Sequence, residues 1–224
     1  SKKKITELPL QGRRVMINAG PTVEPIDPVR FISNHSSGRM GIALADEAAR
    51  LGAEVTLVLG PVSLKPSGRD INIVPVETAS EMKAASLEAF RTCDIAILAA
   101  AVADFTPEKV HETKMKRGPG YLELRLKPTE DIAASLGGMK KKGQILAGFA
   151  LETENETENA RAKLQRKNLD LIILNSLRDK GAGFGYETNR ITIIDSNNNI
   201  DKFELKSKEE VASDIFNKII SLIH

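Results

Sequence analysis

The chain contains no tryptophan, and aromatic residues make up only 4% of its 224 positions. Platforms that stack single-stranded nucleic acid are built from such rings, so that class is disfavoured. An excess of one charge is missing as well: 32 Lys and Arg stand against 30 Asp and Glu, leaving a formal net charge of +2. Nothing global therefore suggests a nucleic-acid partner, and basic residues matter only where they cluster. The lone cysteine, Cys93, has no internal partner, which fits a reducing compartment. It lies beside an apolar strand pattern and is read as an inert core thiol. No apolar run reaches the ~18 residues of a membrane span, and no apolar signal region follows Lys2, Lys3 and Lys4. These absences set the expectation of a cytoplasmic protein that binds neither membrane nor nucleic acid.

What is present is alternation. Short apolar, β-branched runs at 14–18, 54–59, 71–76, 94–101, 144–149 and 170–174 read as strands. Helical patterns occupy 41–51, 80–90, 157–167 and 208–222, with another starting at 129–136. The run 94–101 is almost wholly apolar, as a central parallel strand buried on both faces should be. Strands alternating with helices give an α/β class: a Rossmann-like, doubly wound, mostly parallel sheet. Two runs at 190–195 and 200–205 flank Ser196-Asn197-Asn198-Asn199 and predict an antiparallel C-terminal hairpin. Residues 109–120 (KVHETKMKRGPG) break the pattern and read as a mobile basic flap. Alternation at 121–126, with Leu122, Leu124 and Leu126 on one face, predicts a strand packed on the main body. One domain over 1–224 is expected, with 1–12 as an extension or linker.

The longest connection, 18–40 (NAGPTVEPIDPVRFISNHSSGRM), runs about twenty residues from the first strand to the first helix. Such connections usually take ~2–6 residues, and longer ones tend to be functional. The dinucleotide fingerprint of this sheet type is absent: Gly20 is followed by Pro21 and Thr22, and the second strand ends Leu59-Gly60-Pro61 without an acid for a ribose. The Walker lysine motif is absent too. These gaps count against a nicotinamide-dependent reductase, which remains one rival; a non-catalytic nucleotide-binding module is another.

Ser36, Ser37 and Gly38 precede a helix, where they serve either as caps or as anion donors. Asn34 is a neutral donor and acceptor suited to an acyl oxygen that gains charge. His35 is more ordinary as a structural hydrogen-bonder than as a base. Small residues Ala99, Ala100 and Ala101 at a strand's carboxyl end leave the backbone open to a flat ligand, with Asp104 beyond them. Lys163 and Lys167 share one helix face, above the acidic first turn of Glu156 and Glu158. Lys114, Lys116 and Arg117 add positive charge on the flap, where closure over a polyphosphate would exclude water.

The segments INAGPTVEPIDPVRFISNHSSGRMG, ILAAAVADFTPEK, KMK, AGFALETEN and RKNLDLIILN occur in the order found in bacterial phosphopantothenoylcysteine synthetases. The chain resembles that family from about Arg13 to its C-terminus. It departs where Asn18 replaces the usual Thr, Arg39 a frequent Lys, and Glu130 a usual Pro. The resemblance implies a ligase of coenzyme A biosynthesis joining 4′-phosphopantothenate to L-cysteine with CTP. An acyl-cytidylate forms, releasing pyrophosphate; the cysteine amine then displaces CMP. By the same resemblance Asn34, Arg30 and Lys114 are the catalytic residues. Leu98, Ala99, Ala100, Asp104, Lys114, Glu130, Asp131, Ile132, Ala133, Phe149, Lys163 and Lys167 hold the nucleotide. Asn34, Ser36, Ser37, Gly38 and Ala101 are assigned to the acid substrate. Mg²⁺ is expected on the phosphates, without a dedicated protein metal site. A homodimer is implied, as is fusion to or association with a flavin-dependent phosphopantothenoylcysteine decarboxylase.

Overall fold

A computed structural model describes residues 7–152, 155–176 and 188–223. In chain order, β1 (Arg14–Ala19) runs into a small hairpin of β2 (Val23–Pro25) and β3 (Phe31–Ser33), then helix α1 (Arg39–Arg50). β4 (Glu54–Leu59) and β5 (Ile71–Pro75) follow, then α2 (Ala79–Phe90) and β6 (Ile95–Leu98). A second hairpin, β7 (Phe105–Pro107) with β8 (Leu126–Pro128), brackets the basic flap. Then come α3 (Ile132–Met139), β9 (Ile145–Glu152), α4 (Glu156–Arg166) and β10 (Leu171–Ser176). β11 (Thr188–Asn189), β12 (Ile191–Asp195), β13 (Ile200–Lys202), β14 (Lys206–Ser207) and α5 (Lys208–Ile223) complete the described chain.

The main sheet has the order β13-β12-β10-β9-β6-β1-β4-β5. From β5 to β10 all pairings are parallel, and β12 and β13 add an antiparallel edge. The parallel part has the doubly wound order 3-2-1-4-5-6, as expected for a Rossmann-like fold. The direction in which successive strands are added to the sheet reverses between β1 and β6. Loops leaving those two neighbours diverge there, which opens a crevice at their carboxyl ends.

Period-two alternation fills both faces of the sheet. Ile95 and Ile97 of β6 pack with α1 and α5, whereas Ala96 and Leu98 pack with α2, α3 and α4. Leu171 and Ile173 repeat the first assignment on β10, and Ile172 and Leu174 the second. Each such Ile or Leu contributes on the order of 1.5–3 kcal/mol by leaving water. The Asn-rich turn forms because the buried Asp195 accepts the backbone N–H groups of Asn197 and Asn199, while Asn198 adopts φ 64°. Leu10, within the segment 1–12, is fully buried, and its N–H donates to the Leu51 carbonyl.

Three expectations change in detail. The central strand ends at Leu98 rather than Ala101, and Ala101 keeps only an isolated bridge to Pro21. The long connection is not irregular throughout, because β2 and β3 pair within it. Residues 121–125 form no strand, and Tyr121, Leu122 and Leu126 are exposed. Alternation there meets no partner until Leu126 pairs with Pro107. Leucines on one side of an unpaired segment have no sheet face to bury them.

Candidate active site

The loop after β1 is tied to the end of β6 by buried polar side chains. Asn18 Oδ1 accepts the Ala100 N–H at 3.1 Å, and Thr22 Oγ1 accepts that of Ala103 at 2.9 Å. Ser33 Oγ donates to the Thr22 carbonyl at 2.7 Å. Glu24, also buried, accepts the Ala79 N–H at the start of α2. Backbone groups left over by two strand ends are thereby satisfied. The stretch Ala99 to Ala103 becomes a fixed shelf with only small side chains projecting.

Asn34 lies against that shelf. Its Nδ2 donates to the Ala101 carbonyl at 2.9 Å and the Val102 carbonyl at 3.2 Å. Both N–H bonds are committed, so the atom that Asn34 offers is Oδ1, an acceptor. The expectation of an N–H aimed at an acyl oxygen thus differs from the geometry, which suits an amine N–H instead. Ser36 and Ser37 do not cap α1. Gly38 takes that position in a left-handed conformation, φ 76°, which glycine adopts without strain. The cap has no side-chain bond, so the first N–H groups of α1 are not closed off by a capping oxygen.

These elements surround a cleft of about 860 Å³ at the carboxyl edge of the sheet. Asn34, Ser36, Ser37, Gly38, Leu98, Ala99, Ala100, Ala101 and Asp104 all line it. Glu130, Asp131, Ile132, Ala133, Phe149, Lys163 and Lys167 line it too, so most residues singled out in the sequence meet at one place. Lys163 pairs with Glu152 on β9, and Lys167 with Asp131 at 3.0 Å. Asp131 also caps α3 by accepting the Ala134 N–H. Burial works against its charged form, but that N–H and Lys167 hold the carboxylate below its ordinary range. Glu130 points its carboxylate at Lys83, leaving backbone as its contribution to the cleft.

Arg30 and Lys114 are not among the residues lining the cleft. The Arg30 guanidinium pairs with the buried Asp27 and donates to the Met115 carbonyl at 2.9 Å. Asp27 also accepts the Met115 N–H at 3.1 Å. The Arg30 bond and the backbone N–H groups of Val29, Met115 and Arg30 hold the Asp27 carboxyl well below the usual range. Arg30 therefore anchors the flap, and Lys114 is exposed one residue before the anchor. The flap is tethered at its middle, which the reading of a mobile arm did not anticipate. Cys93 is buried, and burial with Asp94 nearby pushes its thiol up to about 12, as an inert core thiol requires.

Among the lining residues that the sequence reading did not assign to a site are Arg39, Asn175, Asn189 and Lys208. Lys208 opens a helix whose sequence, Lys-Glu-Glu, looks like an ordinary solvated first turn, and Asn189 lies outside any recognised motif. A larger concavity of about 1260 Å³ lies across α1 and α5, with Asp46, Glu47, Arg50 and Glu210 among its lining residues. Its Glu47 is engaged by Arg50 and Ser213, and no residue from the carboxyl ends of β1, β6 or β9 lines it, so the smaller cleft is the candidate site. Among the described residues no three carboxylates, histidines or thiols converge on a point. Mg²⁺ carried on nucleotide phosphates requires only one or two protein carboxylates, and Asp104 is available at the lip. No described helix is long and apolar enough to cross a membrane.

Residues 10–223 match the family model of the DNA/pantothenate metabolism flavoprotein C-terminal domain. A protein of an unknown prokaryotic organism, named cysteine/cysteine sulfinic acid decarboxylase, is 72% identical over all of this chain and 62% of its own length. The coenzyme A biosynthesis bifunctional protein CoaBC of Bacillus subtilis is 48% identical over 97% of this chain and 53% of its own. The chain thus spans between about half and three-fifths of these relatives. The crystal structure of a CoaBC C-terminal domain superposes with a TM-score of 0.83 at 39% identity, covering 96% of this chain and 98% of that one.

Proposed function

The chain belongs to the family of DNA/pantothenate metabolism flavoprotein C-terminal domains, and on that premise we propose that it is a phosphopantothenate–cysteine ligase that uses CTP. The observation that carries this reading is the placement of Asn34 on the alanine shelf, between a helix start and two lysines. Nothing in that arrangement requires a covalent nucleophile, and a ligase working through an acyl-nucleotide needs none.

The chemical problem is that a carboxylate repels nucleophiles. Its oxygen attacks the α-phosphorus of CTP, the bond to the β-phosphate oxygen breaks, and pyrophosphate leaves. The resulting mixed anhydride is neutral at the acyl carbon and carries a good leaving group. The amine of L-cysteine then forms the C–N bond, CMP leaves with the bonding pair, and the ammonium proton passes to solvent. The shelf of Leu98, Ala99 and Ala100 and the neighbouring Phe149 take the flat base and sugar, while the Glu130 to Ala133 backbone closes over them. Lys163 and Lys167 exchange their carboxylate partners for phosphate oxygens. Lys114, on its tethered flap, adds charge from above, with Arg30 in a positioning role. Asn34 Oδ1 orients the attacking amine by accepting its N–H. Mg²⁺ bound to the nucleotide would neutralise phosphate charge.

Several features are proposed with this reading. Val29 and Phe31 on one hairpin, and Leu126 on the other, are exposed apolar residues on adjoining hairpins. A homodimer would cover them. The bifunctional relatives support association with a decarboxylase that consumes the product. The decarboxylase activity in the name of the 72% identical relative belongs to a protein of which this chain matches 62% of the length.

Asn34→Asp is the decisive variant. A carboxylate has no N–H to give the Ala101 and Val102 carbonyls, so it is displaced from the shelf. Overall turnover should fall ~10²–10³-fold, with acyl-cytidylate accumulating because the second half-reaction suffers more. Equal loss of pyrophosphate release and product formation would refute the role, and absence of CTP-dependent pyrophosphate release in the wild type would refute the reading itself.

A further inference from the structure

Attack of an amine on an acyl-nucleotide places negative charge on the acyl oxygen, and an N–H directed at that oxygen stabilises it. Asn34 cannot supply that donor, because both of its N–H bonds go to the Ala101 and Val102 carbonyls. The backbone of the shelf offers little more. Of the five N–H groups from Ala99 to Ala103, all but that of Val102 are taken. Ala99 donates to the Asn18 carbonyl, Ala100 to Asn18 Oδ1, Ala101 to the Gly20 carbonyl and Ala103 to Thr22 Oγ1.

Asn18 carries a donor that nothing uses. It lies in β1, on the same face as Met16, and lines the cleft although only 2% of its surface is exposed. A backbone N–H can only donate, so the atom facing Ala100 is the amide oxygen, and that bond fixes which arm of the amide is Nδ2. Nδ2 donates to none of the described residues. Unlike the Oδ1 atoms of Asn175 and Asn189, it is not sealed from solvent. A buried amide ordinarily has both arms paired. Here one arm is committed to the shelf and the other opens on the cleft. Asn18 grips Ala100 and Asn34 grips Ala101, neighbours whose Cα atoms are about 3.8 Å apart. One spare donor and one spare acceptor therefore stand over adjacent residues of the same fixed backbone.

From this juxtaposition we propose that Asn18 is a further catalytic residue, whose Nδ2 donates to the acyl oxygen of the mixed anhydride while Asn34 Oδ1 holds the attacking amine. This rests on the ligase reading and deepens it. The nitrogen lone pair forms the C–N bond, and the carbonyl π pair moves onto the oxygen facing Asn18. Return of that pair breaks the C–O bond to the phosphate, CMP leaves with the bonding electrons, and the ammonium proton passes to solvent. Asn18 exchanges no proton; it carries the charge while the carbon is tetrahedral. Activation of the acid makes a weaker demand, since the carboxylate loses charge in that step.

The test is Asn18→Asp, which keeps an oxygen for the Ala100 N–H and has no N–H to give. In rapid-quench experiments, CTP and 4′-phosphopantothenate without cysteine should release pyrophosphate within about threefold of the wild-type rate. Cysteine added afterwards should be captured ~10²–10³-fold more slowly, the range for a lost oxyanion donor. Should Asn18→Asp not fold, Asn18→Thr and Asn18→Val carry the same contrast, being alike in shape with only Thr bearing an O–H. Capture of cysteine should then be at least ~10-fold faster in Thr than in Val, with pyrophosphate release alike in both. An infrared spectrum of the isotope-labelled acyl carbonyl, bound without cysteine, should show a lower stretching frequency in wild type than in Asn18→Val; a merely structural asparagine would not shift it. Equal slowing of both half-reactions would make Asn18 a support of the shelf and overturn the proposal. So would a raised KM for CTP with cysteine capture unslowed, which would place Nδ2 on the nucleotide, and so would rates unchanged throughout. Absence of pyrophosphate release in wild type would overturn the ligase reading and this role with it, whereas a competent wild type leaves the variants to judge Asn18 alone.

Discussion

At one end of the cleft, Lys163 and Lys167 stand on α4 and just beyond it with Glu152 and Asp131 already against them. Arg39 and Lys208, the first residues of α1 and α5, also line the cleft, and burial, with the charge of Arg39, depresses the Lys208 proton affinity. Both ends present two cations. In the first pair the carboxylates must be displaced before a phosphate binds, so part of the interaction energy goes into an exchange. Such an end releases what it binds. In the second, burial and the Arg39 charge weigh on Lys208, and Glu209 offsets them in part.

The sharpest way to break this contrast uses two glycines. A methyl on Gly137 of α3 would overlap the Lys167 carbonyl oxygen, and one on Gly41 of α1 would overlap the Ala19 side chain. Each substitution pushes one wall outward and should cost about 1–3 kcal/mol of stability. Gly137→Ala should raise KM for CTP and spare that for 4′-phosphopantothenate; Gly41→Ala should do the reverse. Steady-state kinetics on both variants read this directly, and identical effects on the two substrates would mean the ends do not work separately.

A smaller effect is expected at the flap anchor. Asp27→Asn removes the charge that holds Arg30 and weakens the acceptor of the Met115 N–H. Turnover should drop ~3- to 10-fold as Lys114 loses its placement. The folded pKa of Asp27 lies below the unfolded one, so its contribution is complete above about pH 4 and disappears only as the pH falls through the lower folded value. Hydrogen exchange at the Met115 amide should accordingly stay slow from about pH 7 to 4 in wild type. It should be fast throughout in the variant.

The mildest change is Glu152→Gln, which removes the carboxylate competing for Lys163. A partly exposed ion pair is worth ~0.2–1 kcal/mol, so KM for CTP should fall about 1.4- to 5-fold. A rise instead would mean Glu152 helps to place Lys163 for the nucleotide.

Residues in contact along the chain were the legible ones. The β-branched runs and capped helices announced a doubly wound sheet because period and burial are local properties. The alanines after β6 and the 36–38 turn were readable because small residues at a strand end have one chief use. What failed to show was pairing at a distance. Arg30 looks like a cleft cation until Asp27 and Met115 engage it, 3 and 85 positions away. Leu122, Leu124 and Leu126 alternate like a strand, but alternation does not supply a neighbour. Lys208 reads as solvent-facing because nothing in its own segment reveals that Arg39 will lie beside it. Asn34 stands out in the sequence, yet which of its two polar atoms remains available depends on the carbonyls of Ala101 and Val102.

Phe105 sits at the lip of the cleft, half-exposed on β7, just after the shelf and before the flap. Since the chain has no indole of its own, Phe105→Trp would emit against a dark background. Its colour would then follow, in real time, how wet the entrance is as each of the proposed reactants is added.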